Sequence, residues 1–155
     1  MLKASARLDL GEYLPYLVNR LGNILADEFG TEALARHGLS IATWRVMAVL
    51  ASTGEQRQID LAELTSIEAS TLSRLVSRMM RKGLVTRTRS ASSNREVVVR
   101  LSGKGSALVE RLIPVGREFE KIAIAGLSAE ELAVAKRCLR RMYDNMKHRG
   151  PPHAK

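Results

Sequence analysis

Three observations predict a mainly α-helical fold carrying one small β-hairpin. Apolar residues recur at three- and four-residue spacing along most of the 155-residue chain. Aromatic residues are only 4% of the total, and strand-like runs are confined to one place. That place, Leu84 to Leu101, holds two β-rich runs, LVTRTR and EVVVRL, around the polar stretch SASSNR, which is the pattern of a hairpin.

Each element has its own signal. Leu14, Leu17, Leu21, Ile24, Leu25 and Phe29 form one apolar stripe, so the spacing predicts a first helix from about Gly11 to Arg36. Pro15 falls near its first turn, where proline is tolerated, and Gly30 and Gly38 punctuate its end. Ser40 is a good N-cap for a second helix that turns Trp44, Val46, Met47 and Leu50 inward and stops near Thr53-Gly54. A short helix, Ile59 to Leu64, with Leu61 and Leu64 three apart, and a turn at Thr65 to Glu68 lead to a helix from Ala69 to Lys82, closed by Gly83. On that helix Leu72, Leu75, Val76 and Met79 share one face, and Ser70, Ser73, Arg74, Ser77 and Arg81 share the other. After the hairpin, Ser102 caps a long helix that runs to about Ala125, with a kink expected at Pro114 and a stop at Gly126. Ser128 and Glu131 fit a capping box for a last helix through Met146. The tail HRGPPHAK reads as a frayed end.

Composition excludes several classes. Apolar residues at 45% and charged residues at 26% describe a globular chain. No apolar run approaches the roughly 20 residues that span a bilayer, and the first residues lack the apolar core of a signal peptide. The single cysteine, Cys138, forms no intrachain disulfide, which suits a reducing cytoplasm. On its mixed helix face it reads as a buried structural residue rather than a redox sensor. His37, His148 and His153 are too scattered to hold a metal. Gly103-Lys104-Gly105 is too short for a phosphate loop. No acid–base or nucleophile constellation is present, so neither an enzyme nor a cofactor is expected.

Charge points to a polyanionic partner. The net charge is +9, and Ile67 to Lys104 alone holds nine basic residues against two acidic. A localised excess of this kind is what a docking face for nucleic acid produces. Its setting is specific: short helix, turn, helix, then a two-stranded hairpin. A helix-turn-helix lets its second helix enter the major groove of double-stranded DNA while the first braces it. Small hydroxyl residues permit close approach, and arginines supply bidentate contacts to guanine or phosphate. A basic hairpin beside it can straddle the backbone. The order is that of a winged helix-turn-helix with long N- and C-terminal helices.

At these residues the chain resembles the MarR family (multiple antibiotic resistance regulators) of bacterial winged-helix transcription factors. The matching stretches are LSIATWRVMAVL, IDLAELTSIEASTLSRLVSRMMRKGLVTRTRS and NREVVVRLSGKG, and the long flanking helices fit the family's layout. The resemblance implies a homodimer whose first, fifth and sixth helices interlock. It also implies a wing touching the minor groove, and repression relieved by a small ligand or by oxidation. By position, Ser70, Thr71, Ser73, Arg74, Ser77 and Arg78 lie where the family's recognition helix meets the major groove, and Arg95 lies where the family keeps its wing arginine. The family often has an aspartate two residues before that arginine. Here Ser93 stands there and braces a guanidinium less firmly, so the expectation is either a more mobile wing or an Arg89 that shares the task.

The layout divides into an N-terminal dimerisation helix at 1–36, a winged helix-turn-helix DNA-binding domain at 37–104, and C-terminal dimerisation helices with a tail at 105–155. A pocket for a small aromatic or anionic ligand is expected where the first, second and fifth helices meet the winged domain. Tyr13, Tyr16, Arg20, Trp44 and Met47 are its candidates, although Trp44 and Met47 read first as plain core. The expected function is a cytoplasmic, sequence-specific DNA-binding regulator, acting as a homodimer on a roughly palindromic operator. The alternatives are a winged-helix module that binds protein, or a ligand-binding helical dimer with weak DNA binding.

Overall fold

A computed structural model describes residues 7–89 and 96–149. The chain divides into two compact units, Met1–Phe119 and Glu120–Lys155.

The first unit opens with α1, Leu14–Phe29, which carries a proline in its first turn. The helical path continues, as expected, towards Arg36, but its pitch changes. A π-helical turn spans Gly30–Leu34 and a 3-10 turn spans Ala35–His37, ending at Gly38 with φ +61°. In the wide turn the Ala35 N–H reaches back five residues to the Gly30 carbonyl. Residues five apart thereby fall on nearly the same side, which brings both Phe29 and Leu34 into the core. Most of the α1 stripe finds no cover within the unit: Leu14, Leu17, Leu21 and Ile24 are exposed, as is Val18 beside them, and Leu25 is half-buried.

Helix α2, Ile41–Thr53, begins at Ser40, whose hydroxyl accepts the Thr43 N–H at 3.2 Å. It ends at Gly54 with φ +80°. Helix α3, Gln58–Thr65, follows, then α4, Ala69–Arg81. Val46, Met47 and Leu50 of α2, Leu61 of α3, and Leu72, Leu75, Val76 and Met79 of α4 form one core. Leu64, paired by spacing with Leu61, is exposed instead.

The hairpin forms as expected from β2, Val85–Arg89, and β3, Val97–Leu101, antiparallel with Val85 opposite Leu101 and Arg89 opposite Val97. A further strand, β1, Gln56–Arg57, adds to the other edge of β3, with Gln56 opposite Val99. Two residues are too few to show a period, so this strand left no trace in the sequence pattern.

Helix α5, Gly103–Ala123, contains Pro114. Its first turns bury Leu108, Val109 and Leu112 in the same core. Phe119 stands edge-on to Phe29 at 5.6 Å, and Phe29 stands edge-on to Trp44 at 5.2 Å. The compact unit therefore runs on past Lys104 to Phe119.

In the second unit Gly126, φ +85°, precedes α6, Ala129–Lys147. The capping box is present. The Ser128 hydroxyl accepts the Glu131 N–H at 3.2 Å, and the Glu131 carboxylate accepts the Ser128 N–H at 2.7 Å. The latter bond leads in holding the Glu131 carboxyl below its ordinary range. Val134, Leu139, Tyr143 and Met146 are exposed. Cys138 corrects the sequence reading: it is a free, exposed thiol rather than a buried one, because no element of its own unit covers that side of α6. No helix among the described residues is long and apolar enough to cross a membrane.

Candidate nucleic-acid interface

The chain reverses sharply between α3 and α4. Ser66 adopts a left-handed conformation, φ +54°, and the Ile67 N–H bonds back to the Ala62 carbonyl at 3.1 Å. Inside α3, the Thr65 hydroxyl donates to the Leu61 carbonyl at 2.6 Å, which satisfies a buried polar group.

Glu68 caps α4. Its carboxylate accepts from the Ser70 hydroxyl and from the backbone N–H groups of Ser70 at 2.9 Å and Thr71 at 3.0 Å. These bonds, the Ser70 hydroxyl foremost, pull the Glu68 carboxyl down from 4.5 to about 2. A carboxylate here also faces the positive end of the helix dipole. The sequence pattern assigned Glu68 to a turn, because glutamate is not among the preferred capping residues.

Along its length α4 is split in two. One side is the core face already named. On the other, Ser70, Thr71, Arg74, Arg78 and Arg81 are exposed, and Ser73 and Ser77 are half-buried. The Ser77 hydroxyl donates to the Ser73 carbonyl at 3.0 Å, so its hydrogen is used within the helix. Arg74 reaches the Thr71 hydroxyl through one nitrogen at 3.4 Å. That long contact leaves most of the guanidinium fork facing outward.

The far end of α4 is tethered to its surroundings. The Lys82 ammonium donates to the Gly38 carbonyl at 2.5 Å, and the Lys104 ammonium to the Lys82 carbonyl at 2.9 Å. The Ser102 hydroxyl donates to the Gly83 carbonyl at 2.6 Å while accepting the Gly105 N–H at 3.0 Å. Gly83, φ +70°, makes the turn into the wing.

On the wing, Arg87, Thr88 and Arg89 are exposed. Arg100 donates through Nε to the hydroxyl of Thr86, its cross-strand partner, at 3.1 Å. Arg57 of β1 binds Asp60 with two nitrogens, at 2.6 and 2.9 Å, and Glu96 with the third, at 3.0 Å. Hydrogen bonds to Asp60 first and Glu96 second raise its pKa above an already high value. Arg57 was not singled out from the sequence, since a lone arginine outside the basic segment carries no pattern. Ser93 and Arg95 lie outside the described residues.

This arrangement has an electrostatic consequence. The segment 67–104 contains two carboxylates, Glu68 and Glu96. One is committed to capping α4 and the other to Arg57. Glu96 is paired with Arg57, whereas Glu68 bonds to neutral donors and keeps its negative charge at the exposed start of α4. With nine basic residues in the segment, a phosphate backbone approaching α4 and the wing still meets a clear positive excess.

The candidate ligand residues are dispersed. Tyr13 immediately precedes α1, and Tyr16 and Arg20 stand on it, the Arg20 guanidinium lying over the Tyr16 ring at 5.6 Å. Trp44 packs on Phe29, and Met47 is fully buried. Among the described residues no cluster of His, Cys, Asp or Glu could hold a metal ion.

A brace helix, an outward-facing polar and cationic helix, and an adjacent β-wing together make a winged helix-turn-helix DNA-binding domain. Known proteins give the same result. The sequence model of the MarR family matches residues 37–96. The HTH-type transcriptional repressor NicR of Pseudomonas putida is 27% identical over 104 residues, 67% of this chain and 66% of the relative, so the match spans about two thirds of NicR. Among solved structures, a MarR family transcriptional regulator from Silicibacter pomeroyi is 31% identical, with a TM-score of 0.76 over 90% of this chain and 99% of that one. The PcaV transcriptional regulator of Streptomyces coelicolor, solved in complex with its natural ligand, is 25% identical with a TM-score of 0.75, over 90% of this chain and 98% of that one. The chain belongs to the MarR family of transcriptional regulators. Its function is DNA-binding regulation of transcription.

Proposed function

We propose that the protein acts in the cytoplasm as a homodimeric repressor, binds a roughly palindromic operator, and is released by a small ligand. The outer face of α4 carries this reading: exposed Ser70, Thr71, Arg74 and Arg78 on a helix whose opposite face is fixed in the core. In this proposal α4 lies in the major groove, with Ser70, Thr71, Ser73, Arg74, Ser77 and Arg78 facing the duplex. Arg89 and Arg95 take the wing to the neighbouring backbone and minor groove. The exposed leucines of α1 and the exposed Leu139, Tyr143 and Met146 of α6 favour dimerisation through the segments 1–36 and 105–155, around DNA-binding segments at 37–104. Half-sites are then about one helical turn, ~10 bp, apart. For the ligand, Arg20 over the Tyr16 ring offers a cation beside an aromatic face, with Tyr13 at the start of the same helix; Trp44 and Met47, packed in the core apart from them, are the weaker candidates. NicR is named a repressor and PcaV was solved with a ligand, and both support the direction of regulation.

The test is fluorescence anisotropy with DNA from the promoter beside the protein's own gene, at several salt concentrations. Binding is expected to weaken steeply with salt, by about 0.9 in log–log slope per neutralised phosphate. Arg95→Ala should flatten that slope by about one unit. Affinity independent of salt and of sequence would overturn the proposal.

A further inference from the structure

Besides the candidates on α1, the first unit holds a cleft of about 310 Å³ of very uneven chemistry. Its floor is Leu39, Leu84 and Leu108, each buried. Its rim is His37, Lys82, Lys104 and Arg111, all exposed, and no described carboxylate lines it. Two of the rim cations are held in place: Lys82 by the Gly38 carbonyl at 2.5 Å and Lys104 by the Lys82 carbonyl at 2.9 Å. Each of those bonds uses one of three ammonium hydrogens, so donors remain for a guest. Immobilised cations above an apolar floor select a molecule with a negative head and an apolar body, and the volume lies at the small end for ligand sites.

We propose that this cleft, between the His37–Leu39 segment, the end of α4 and the start of α5, is a binding site for a small organic anion with an apolar body. Its head, a carboxylate or a phosphate monoester, is held by Lys104, Arg111 and Lys82, and its body rests on the three leucines. The site touches Lys82 and Leu84, the two residues that flank the α4-to-wing turn. An anion held by the remaining Lys82 hydrogens draws that ammonium into the cleft, lengthening its bond to the Gly38 carbonyl and so loosening the tether at the end of α4. This regulatory half rests on the DNA-binding reading above; the binding half does not.

The experiment is calorimetric titration of the full chain, without DNA, with hexanoate and with phenyl phosphate. Inorganic phosphate serves as the headgroup without a body, and hexylammonium as the body with the opposite charge. Saturable binding of hexanoate or phenyl phosphate is expected, with at least tenfold weaker binding of both controls. Which of the two binds more tightly assigns the head as carboxylate or phosphate. Arg111→Met and Lys104→Met, exposed positions that leave the floor intact, should each weaken binding about tenfold, near the 1.4 kcal/mol that a tenfold change represents. Arg81→Met removes a charge elsewhere and should leave binding unchanged, and so should Arg20→Met on α1. Equal binding of inorganic phosphate, or equal loss in Arg81→Met, would reduce the effect to general charge and overturn the proposal. Loss in Arg20→Met with none in Arg111→Met would move the site to α1 and overturn it equally. Anisotropy with promoter DNA then separates the two readings. No DNA binding at all indicts the regulator reading, whereas DNA binding unaffected by a saturating anion indicts only the coupling.

Discussion

Replacing Gly105 by alanine should destabilise the winged unit far more than one methyl group suggests. Gly105 sits in the first turn of α5, against the residue that leads into β2. A Cβ added there would lie 2.1 Å from the Leu84 carbonyl oxygen, 3.1 Å from the Leu84 carbonyl carbon and 3.2 Å from a Leu101 methyl. A normal carbon–oxygen contact is about 3.3 Å or more, so the helix start must retreat by about an ångström. Retreat is costly, because the Leu84 oxygen also accepts the Ser102 N–H at 3.0 Å and Ser102 holds the Gly83 carbonyl at 2.6 Å. Overpacking costs about 1–3 kcal/mol, and weakening one or two hydrogen bonds adds about 0.5–1.5 kcal/mol each. Alanine returns about 1 kcal/mol of helix propensity. The expected net loss lies within about 0.5–5 kcal/mol and centres on about 2.5 kcal/mol, on the order of 10 °C in Tm for a unit of this size. Urea unfolding followed by circular dichroism measures it directly. Gly103→Ala is the control, since a Cβ there meets nothing within 4 Å and the same helix start should be unharmed or slightly firmer. A Gly105→Ala midpoint equal to wild type would refute the close approach of α5 to the wing.

Other perturbations test other parts of the structure. Glu68 is held down to about 2 from 4.5, so its capping contribution is complete above pH 4.5 and is lost as pH falls towards 2. The urea midpoints of wild type and Glu68→Gln should therefore differ at neutral pH and converge on acidification, and a gap that widens in acid contradicts the capping role. Arg74→Lys keeps charge and helix propensity but loses the guanidinium fork. On operators varied one position at a time, it should lose about 1–3 kcal/mol of discrimination at one base pair per half-site while non-specific binding persists. Uniform weakening across all operators would make Arg74 a phosphate contact instead. Leu139, 48% exposed within its unit, should lie inside the dimer. Leu139→Asp is expected to sediment as a monomer, or to unfold, since the interface would bury an unpaired charge; an intact dimer would place the interface elsewhere.

What the sequence made legible were features with a local cause. Ser40 and Ser128 cap the helices they were expected to cap, and the Leu72, Leu75, Val76 and Met79 spacing names the buried face of α4. Two β-rich runs around a polar centre announced the hairpin. Features with a non-local cause stayed hidden. Phe29 and Leu34 are five apart and share the core only because a π-turn intervenes, and no 3.6-residue template predicts that. The strand at Gln56–Arg57 exists because the edge of β3 is open to it, not because of its own composition. Cys138 was misread because burial on an amphipathic helix depends on which neighbour covers which face, and its own unit supplies none. Of the interface, the outward arginines and serines were legible from charge and spacing. The restraint of both carboxylates, Glu68 by the helix start and Glu96 by Arg57, was not, because it depends on distances between segments.

The tether at the end of α4 makes the helix a lever. At its far end three bonds join it to two other segments, through Lys82 to Gly38 and through Lys104 to Lys82 and Ser102 to Gly83 at the start of α5. At its near end, the one that carries Ser70, Thr71 and Arg74, its capping bonds come from the adjacent residue Glu68 alone. Thirteen helical residues make an arm of about 20 Å. A tilt of about 5° at the fulcrum then carries the tip about 1.7 Å, while hydrogen bonds fail beyond a few tenths of an ångström past 3.2 Å. Small adjustments where the helix is fastened are thus magnified at Ser70, Thr71 and Arg74, and in the proposed docking a residue need not approach DNA to decide whether the arm reaches it.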